Sequence, residues 1–559
     1  VEAARILPII GWAKSYDRSF LRSDVIAGAT VTALIVPKNL GYAEIAGVPI
    51  EHGLYAAAAG AILYAIFGTC RQISTGPSSA LSAVAGSAVI TAGFTGTEGA
   101  ESLVAAVAIG AGLIFILMSL LRMGWISQFI SRAVITGFLF GAAIDVTTGE
   151  LPKITGTDGS GDNAWQKFWS WIKDLDAIHW TTLLVGGLSL ICLFGLRAVA
   201  PHVPGALVVV VAGLAASALL DLGDRGVALV GDVPRGLPSV VIPDMDLVVD
   251  NAGLIGLASL AIVMIGFSQS AGDARYFAAK HGYRVDVNQE SFAQGAANVG
   301  AGLVQGIPVS TSLSASSLND SSGARSQVAS LVTGGAVVLT LVVLAPLFSD
   351  LPKAVLGAVI IEAVVSGMMD VPELRRLFNV KQSDFWIAIA AIAGVVFAGV
   401  LAGVLIGVIL SVIWLLRVVT SPAILPLGRA PGTHVFRDLE SHPDDLQVPG
   451  ILALRLEGAL FFVTADSLED RIHHFVQEAE PPVRLVILDC QSVNFVDSQG
   501  AEKIGRITDY LQANGIAFKL ARVKPRVRVV FDRDGITRHI GEANIHLDVN
   551  DAVDAYFDQ

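Results

Sequence analysis

This sequence carries little charge for its length. Only 15% of its 559 residues are Asp, Glu, Lys or Arg, while 53% are hydrophobic. A water-soluble chain of this length needs far more surface charge, so the solvent for most of it is lipid. A basic excess is also missing: 37 Lys and Arg face 49 Asp and Glu, a net charge of −12. That speaks against a nucleic-acid partner, which calls for basic patches. Cysteine is nearly absent. Cys70, Cys192 and Cys490 lie far apart with no CxxC pair, so neither a disulfide framework nor a metal site is expected. His473-His474 is the sole histidine cluster in the sequence, and neighbours on a helix point apart. No phosphate-binding glycine loop and no nucleophile–base pattern is legible, so no enzyme activity and no cofactor are expected.

What is present is a series of apolar runs. Twelve reach spanning length, at about 24–46, 52–69, 101–121, 130–149, 180–199, 204–221, 252–275, 288–305, 326–347, 353–370, 383–399 and 400–419. The last 139 residues hold about 35 charges and the first 420 about 51, so the tail has the charge density of a soluble domain. The boundary reads near Ser421. The expected organisation is a cytoplasmic N-terminal segment (1–23), a transmembrane domain (24–420), a linker (421–449) and a soluble domain (450–559). With the N-terminus inside, the inner loops carry Arg71, Arg122, Arg132, Arg197, Lys280, Arg284, Arg325, Arg375 and Arg376. That orientation leaves the tail cytoplasmic. Gly399, Gly403 and Gly407 recur every four residues, a spacing that lets helices approach closely in lipid.

Two shorter stretches, 77–92 and 310–319, are apolar or small but too short to cross. The first opens with Ser74-Thr75-Gly76-Pro77-Ser78-Ser79 and the second with Ile307-Pro308-Val309-Ser310-Thr311-Ser312-Leu313-Ser314. Proline at or just before a helix start costs no hydrogen bond. The two stretches occupy similar places in the two halves, the pattern of an inverted repeat with broken helices. A half-helix exposes its first N–H groups inside the protein, and its N-terminus carries a partial positive charge. Two such ends near the midplane form an anion site. Ser78, Ser79, Ser312 and Ser314 add hydroxyl donors, or are ordinary caps.

At this point the sequence resembles the SulP (sulfate permease) family, the bacterial relatives of solute carrier family 26. The likeness runs through Asp24-Val25-Ile26-Ala27-Gly28, Val36-Pro37-Lys38-Asn39-Leu40-Gly41-Tyr42-Ala43-Glu44 and Gly53-Leu54-Tyr55. Both half-helix motifs share it, as do Gly282-Tyr283-Arg284 and Pro352-Lys353-Ala354. The resemblance implies fourteen segments in two inverted sevens, divided into core and gate. It implies a substrate site at Tyr42, Ser78, Ser79, Leu313 and Ser314, an elevator-like motion, and a homodimer in the cell (inner) membrane. Three positions depart from the family pattern. Lys38 stands where Gln is usual, and Ala315 where Arg is common. Lys38 either supplies the site's charge, or snorkels or pairs with Glu44. Gln269 stands where a coupling acid is common, and a neutral amide cannot titrate. Coupling to protons or sodium then falls to Glu44, Asp145 or Asp273. Glu44 comes first, because it lies a turn and a half past Lys38 on the same helix, while Asp273, near the inner end, is expected to pair with Arg275 or Lys280.

The tail reads as α/β, with strands at 452–456, 460–463 and 485–488 and a helix over 465–478 with Leu468, Ile472 and Phe475 on one face. It resembles a STAS domain. In Val496-Asp497-Ser498-Gln499-Gly500, Ser498 is either a regulatory phosphosite or part of an N-cap. Arg522, Lys524, Arg526 and Arg528 read as one solvated face. The expected function is secondary active transport of a small inorganic anion, sulfate first. Bicarbonate, chloride or a dicarboxylate would suit the same donors. A membrane anion sensor or scaffold acting through the tail is the alternative of another class, and a passive channel a third.

Overall fold

The computed structural model describes residues 7–97, 99–123, 131–200, 203–420 and 422–558. Ser421, the boundary residue expected from charge density, lies outside the described residues. The chain forms two compact units, Val1–Ser411 and Val412–Gln559.

The first unit is helical. After α1 (Pro8–Lys14) come α2 (Leu21–Ile45), α3 (Glu51–Phe67), α4 (Ser79–Ala92), α5 (Gly99–Leu120), α6 (Arg132–Thr155), α7 (Ala164–Lys173), α8 (Trp180–Val199) and α9 (Gly205–Leu220). A short α10 (Met245–Asp250) leads to α11 (Ala252–His281), α12 (Val287–Leu303), α13 (Leu313–Ser321), α14 (Val328–Leu339), α15 (Lys353–Met368), α16 (Val371–Val380), α17 (Gln382–Ala398) and α18 (Val400–Thr420). Beyond α14 the coil changes pitch, passing through Thr340–Leu344 and Ala345–Asp350, where Pro346 removes a donor. Eight helices among the described residues are long and apolar enough to cross a bilayer. The two series match segment by segment. In each, the third segment is short, 14 residues in α4 and 9 in α13. In each, an amphipathic helix, α7 or α16, separates the fifth and sixth spans. This is a fold of fourteen segments in two sevens.

The repeats meet at a two-stranded ribbon, β1 (Thr75–Pro77) and β2 (Val309–Thr311). Its register pairs Thr75 with Thr311, Gly76 with Ser310 and Pro77 with Val309, antiparallel. Each strand runs directly into a short helix, so α4 and α13 leave the ribbon in opposite directions. Irregular backbone in a membrane must find its hydrogen bonds within the protein. Here α12 and α13 supply them. Asn298 accepts from Val309 N–H at 3.0 Å and donates to Val309 O at 2.8 Å. Ser316 Oγ accepts from Ser74 N–H at 3.0 Å, and Asn319 donates to Gln72 O at 3.0 Å. These buried polar residues replace the missing helical bonds.

Helices α2–α5 and α11–α14 pack on one another as a core bundle, while α6, α8, α9, α15 and α17 pack as a gate bundle. Small residues set the close contacts. A Cβ on Gly137 would lie 2.3 Å from Ala388 O, on Gly403 2.2 Å from the Val395 side chain, and on Gly407 2.6 Å from that of Val134. Gly399 does not share this role: it turns the chain between α17 and α18 at φ +92°.

The second unit holds a six-stranded sheet in the order β4-β3-β5-β6-β7-β8. The strands are β3 (Ala423–Arg429), β4 (Phe436–Asp438), β5 (Ile451–Glu457), β6 (Leu485–Asp489), β7 (Ala517–Ala521) and β8 (Ile545–His546). The last four run parallel, joined by α19 (Ala465–Glu478), α20 (Ser498–Ala513), α21 (Pro525–Arg533) and α22 (Ile536–Ile540), and α23 (Val549–Phe557) follows β8. The stretch read as a linker, 421–449, supplies β3 and β4. Pro426 and Gly428 hid the strand pattern, although β3 pairs with both β4 and β5. The expected strand at 460–463 is instead a turn. Leu460 makes one parallel bridge to Val496, and Phe461 N–H is tied to Thr464 Oγ1 at 3.1 Å. Helix α19 has the expected bounds, and Leu468 and Ile472 are fully buried.

The basic stretch 522–528 is not one solvated face. Arg522 Nε donates to Asp489 Oδ1 at 2.9 Å, and Asp489 is fully buried. Arg455 binds the same carboxylate from β5 at 2.7 Å, so two guanidiniums compensate one buried charge. Arg528 pairs with Asp532 at 3.0 Å. At the loop into α20, Asp497 is the N-cap, accepting from Gly500 N–H at 2.7 Å, and Ser498 is the exposed first helical residue.

Candidate anion-binding site

The ribbon fixes where the two half-helices begin. Ser78 caps α4, accepting weakly from Leu81 N–H at 3.4 Å, and Ser312 caps α13 with the same geometry toward Ala315 N–H. In each helix the first two N–H groups, those of Ser79 and Ala80 and those of Leu313 and Ser314, have no protein acceptor among the described residues. All four residues line one cavity of about 450 Å³. Each helix end adds a partial charge of about +0.5. Together they form a concentrated patch of N–H donors inside the unit, suited to an anion.

Side chains from five other helices complete the cavity. Lys38 and Tyr42 project from α2 one turn apart, just beyond Pro37. Lys38 makes no hydrogen bond or ion pair among the described residues. Gln269 and Asp273 face the cavity from α11, also one turn apart. Ser310 Oγ donates to Gln269 Oε1 at 3.2 Å, and Thr311 Oγ1 donates to Asp273 Oδ2 at 3.0 Å. Leu139 of α6, Arg197 of α8 and Ser366 of α15 form the gate-side wall. Arg197 Nη1 donates to Glu362 Oε1 at 2.8 Å.

The structure therefore brings Lys38, Tyr42, Ser78, Ser79, Leu313, Ser314, Gln269 and Asp273 together, and leaves Glu44 and Asp145 elsewhere. Lys38 does not pair with Glu44. Glu44 is 2.6 Å from Lys153, and Asp145 is 2.8 Å from Lys167 on the amphipathic α7. Both carboxylates line a second cavity of about 210 Å³. Asp273 does not pair with Arg275 or Lys280. Lys280, two turns further on, binds Asp320 at 2.6 Å instead, and Asp273 accepts from Thr311 Oγ1 at 3.0 Å. Ser498 belongs to the other unit.

The sequence pattern puts Arg197 in an inner loop and gives Glu362 no role. The available signal was an acid inside the run Val359-Ile360-Ile361-Glu362-Ala363-Val364, since an unpaired charge in a spanning helix is costly. Thr311 was legible as part of the motif but not as a partner for Asp273.

A unit of two inverted sevens with paired half-helix ends in a polar cavity, followed in the chain by an α/β unit, defines a multi-pass membrane transporter of anions. The comparisons agree. The sulfate permease family matches residues 21–391, and the STAS domain matches residues 442–552. A probable sulfate transporter of Mycobacterium tuberculosis is 33% identical over 552 residues, 98% of each chain. Sulfate transporter 4.1, chloroplastic, of Arabidopsis thaliana is 29% identical, over 98% of this chain and 82% of that one. The structure of the murine solute carrier 26 family member A9 anion transporter matches the fold with a TM-score of 0.88 over 99% of this chain and 94% of that chain, at 21% identity. The chain belongs to the sulfate permease family and carries a C-terminal STAS domain.

Proposed function

We propose that this protein is a proton-coupled secondary transporter of sulfate. The anion is held between the N-termini of α4 and α13, beside Lys38 and Tyr42. The observation that carries this reading is the convergence in one cavity of four N–H groups and Lys38, none with a hydrogen-bond acceptor or ion-pair partner among the described residues. Sulfate is preferred because the curated relatives quoted above are named as sulfate transporters. Bicarbonate, chloride or a dicarboxylate is the alternative cargo.

Charge balance argues for the coupling. Lys38 and Arg197 are offset by Asp273 and by Glu362 behind Arg197. A dianion then leaves two negative charges, and the helix ends offset about one. One proton on Asp273 restores balance in a medium where net charge is expensive. Asp273 lies one turn past Gln269, so it takes the coupling role that a neutral amide cannot fill. Glu44 and Asp145 already have lysine partners outside this cavity.

Both half-helices belong to the core bundle, so the site travels with that bundle against the gate in an elevator-type cycle. We place the protein in the cell (inner) membrane as a homodimer, with its N-terminus and STAS domain cytoplasmic. A phosphate on the exposed Ser498 would meet the N-terminus of α20, a favourable position for regulation.

Uptake of labelled sulfate into proteoliposomes tests this reading, with and without an inward proton gradient. Gradient-driven accumulation is the expected result. Sulfate flux indifferent to the gradient would remove the coupling, and flux of chloride or bicarbonate in its place would change the cargo. No flux of any anion would favour a sensor.

A further inference from the structure

Arg197 enters the anion cavity from the gate, facing the half-helix ends across it. The two members of its ion pair differ sharply in exposure: the Arg197 side chain is 53% exposed and that of Glu362 is 9% exposed. Glu362 is thus the anchor, and Arg197 is the member that faces open space. One N–H, on Nη1, is given to Glu362, and the rest of the guanidinium has no protein acceptor among the described residues. A guanidinium presents its donors as a rigid planar fork, and an edge of that fork matches two oxygens of an oxyanion. A halide offers one centre and gains no such bidentate fit. Lys38, by contrast, is a point charge on a flexible stem and does not discriminate by shape.

We propose that Arg197 is a second ligand for the transported anion, supplied by the gate, and that it selects oxyanions over halides. Glu362 is its positioning residue. The inference rests on the half-helix reading for where the anion sits. It assigns a division of labour to that site. Lys38 and the helix ends travel with the cargo, while Arg197 stays with the gate and touches the anion only where the cavity lies against α8 and α15.

The test is transport kinetics in proteoliposomes, with labelled sulfate as substrate and chloride as competitor. Arg197→Gln is expected to raise the sulfate KM about tenfold, the loss of one charge-assisted contact, and to lower sulfate-over-chloride selectivity by a similar factor. Arg197→Lys keeps the charge and loses the fork, so its sulfate KM should recover in part while its selectivity stays low. Glu362→Gln keeps the guanidinium but loosens its aim, and a smaller rise in sulfate KM is expected. A sulfate KM and selectivity unchanged in Arg197→Gln would overturn the inference while leaving the half-helix site intact. Equal losses for sulfate and chloride would overturn the selectivity claim. Absence of sulfate flux in the unaltered protein would remove the reading beneath it, and the inference with it.

Discussion

Lys153 holds Glu44 at 2.6 Å across the boundary between the core and gate bundles. The same ammonium reaches Glu150, one turn earlier on α6, at 2.9 Å. One lysine therefore serves two carboxylates, and Glu44 Oε2 and Glu150 Oε2 are buried without a hydrogen-bond partner among the described residues. Removing a buried charge strands the charges it compensated.

Lys153→Met should therefore destabilise the membrane unit by about 1–3 kcal/mol, less than a fully buried pair would lose because Lys153 and Glu44 are 26% and 23% exposed, read as a lowered Tm in detergent. Combining it with Glu44→Gln should restore part of the loss, because one stranded carboxylate is then neutral. A Tm unchanged by Lys153→Met would mean that this lysine does not compensate the two carboxylates as described.

Asp273 and Glu44 should behave differently in transport. Asp273→Asn is expected to abolish accumulation driven by a proton gradient while leaving sulfate exchange across the membrane, since the anion donors remain. Glu44→Gln is expected to keep gradient dependence. Accumulation lost in Glu44→Gln and kept in Asp273→Asn would reverse the assignment.

Much of this architecture was legible in the sequence, for reasons specific to lipid. Hydropathy marks spans directly, and the Pro and Ser punctuation at Pro77 and Pro308 marked both half-helices because only broken helices need such residues at that depth. What escaped were relationships between distant segments. Nothing local to Arg197 says that its helix faces the candidate cavity, and Glu44 gives no sign of Lys153, more than a hundred residues away. The gap between Lys280 and Asp320 likewise hid the pairing that frees Asp273 to meet Thr311. In the tail, Pro426 within β3 obscured a strand that pairing with β4 and β5 makes clear.

Close helix contacts against α17 offer an independent check. Gly137→Leu would drive a side chain into Ala388 O, already 2.3 Å from where a Cβ would sit, and Gly403→Leu would drive one into Val395. Each should cost about 1–3 kcal/mol or more. Gly187, with open space around it, should accept alanine with little change. Thermal unfolding of the three variants in one detergent would rank them, and equal Tm values would refute the packing described.

Cys490 follows β6 and is buried, which pushes its thiol up to about 12. It should resist maleimide at pH 8 in the folded protein and react once the domain unfolds. The linkage has a definite sign. The folded thiol binds its proton more tightly than the unfolded one, whose pKa is about 8.5. Its contribution is therefore complete below that value and is lost progressively as pH rises toward about 12. Denaturant midpoints of the full chain, followed by a signal from the STAS domain, should fall from about pH 9 upward, and less so in Cys490→Ala.

The most direct test of the site itself is labelled sulfate uptake by the unaltered protein beside Ser314→Trp. Ser314 stands at the exposed start of α13, and an indole there would fill the space between the two helix ends without touching the ribbon bonds behind them. The expected result is uptake by the unaltered protein and none by Ser314→Trp, with the two showing the same Tm. Undiminished sulfate uptake by a folded Ser314→Trp would contradict the placement of the anion between α4 and α13.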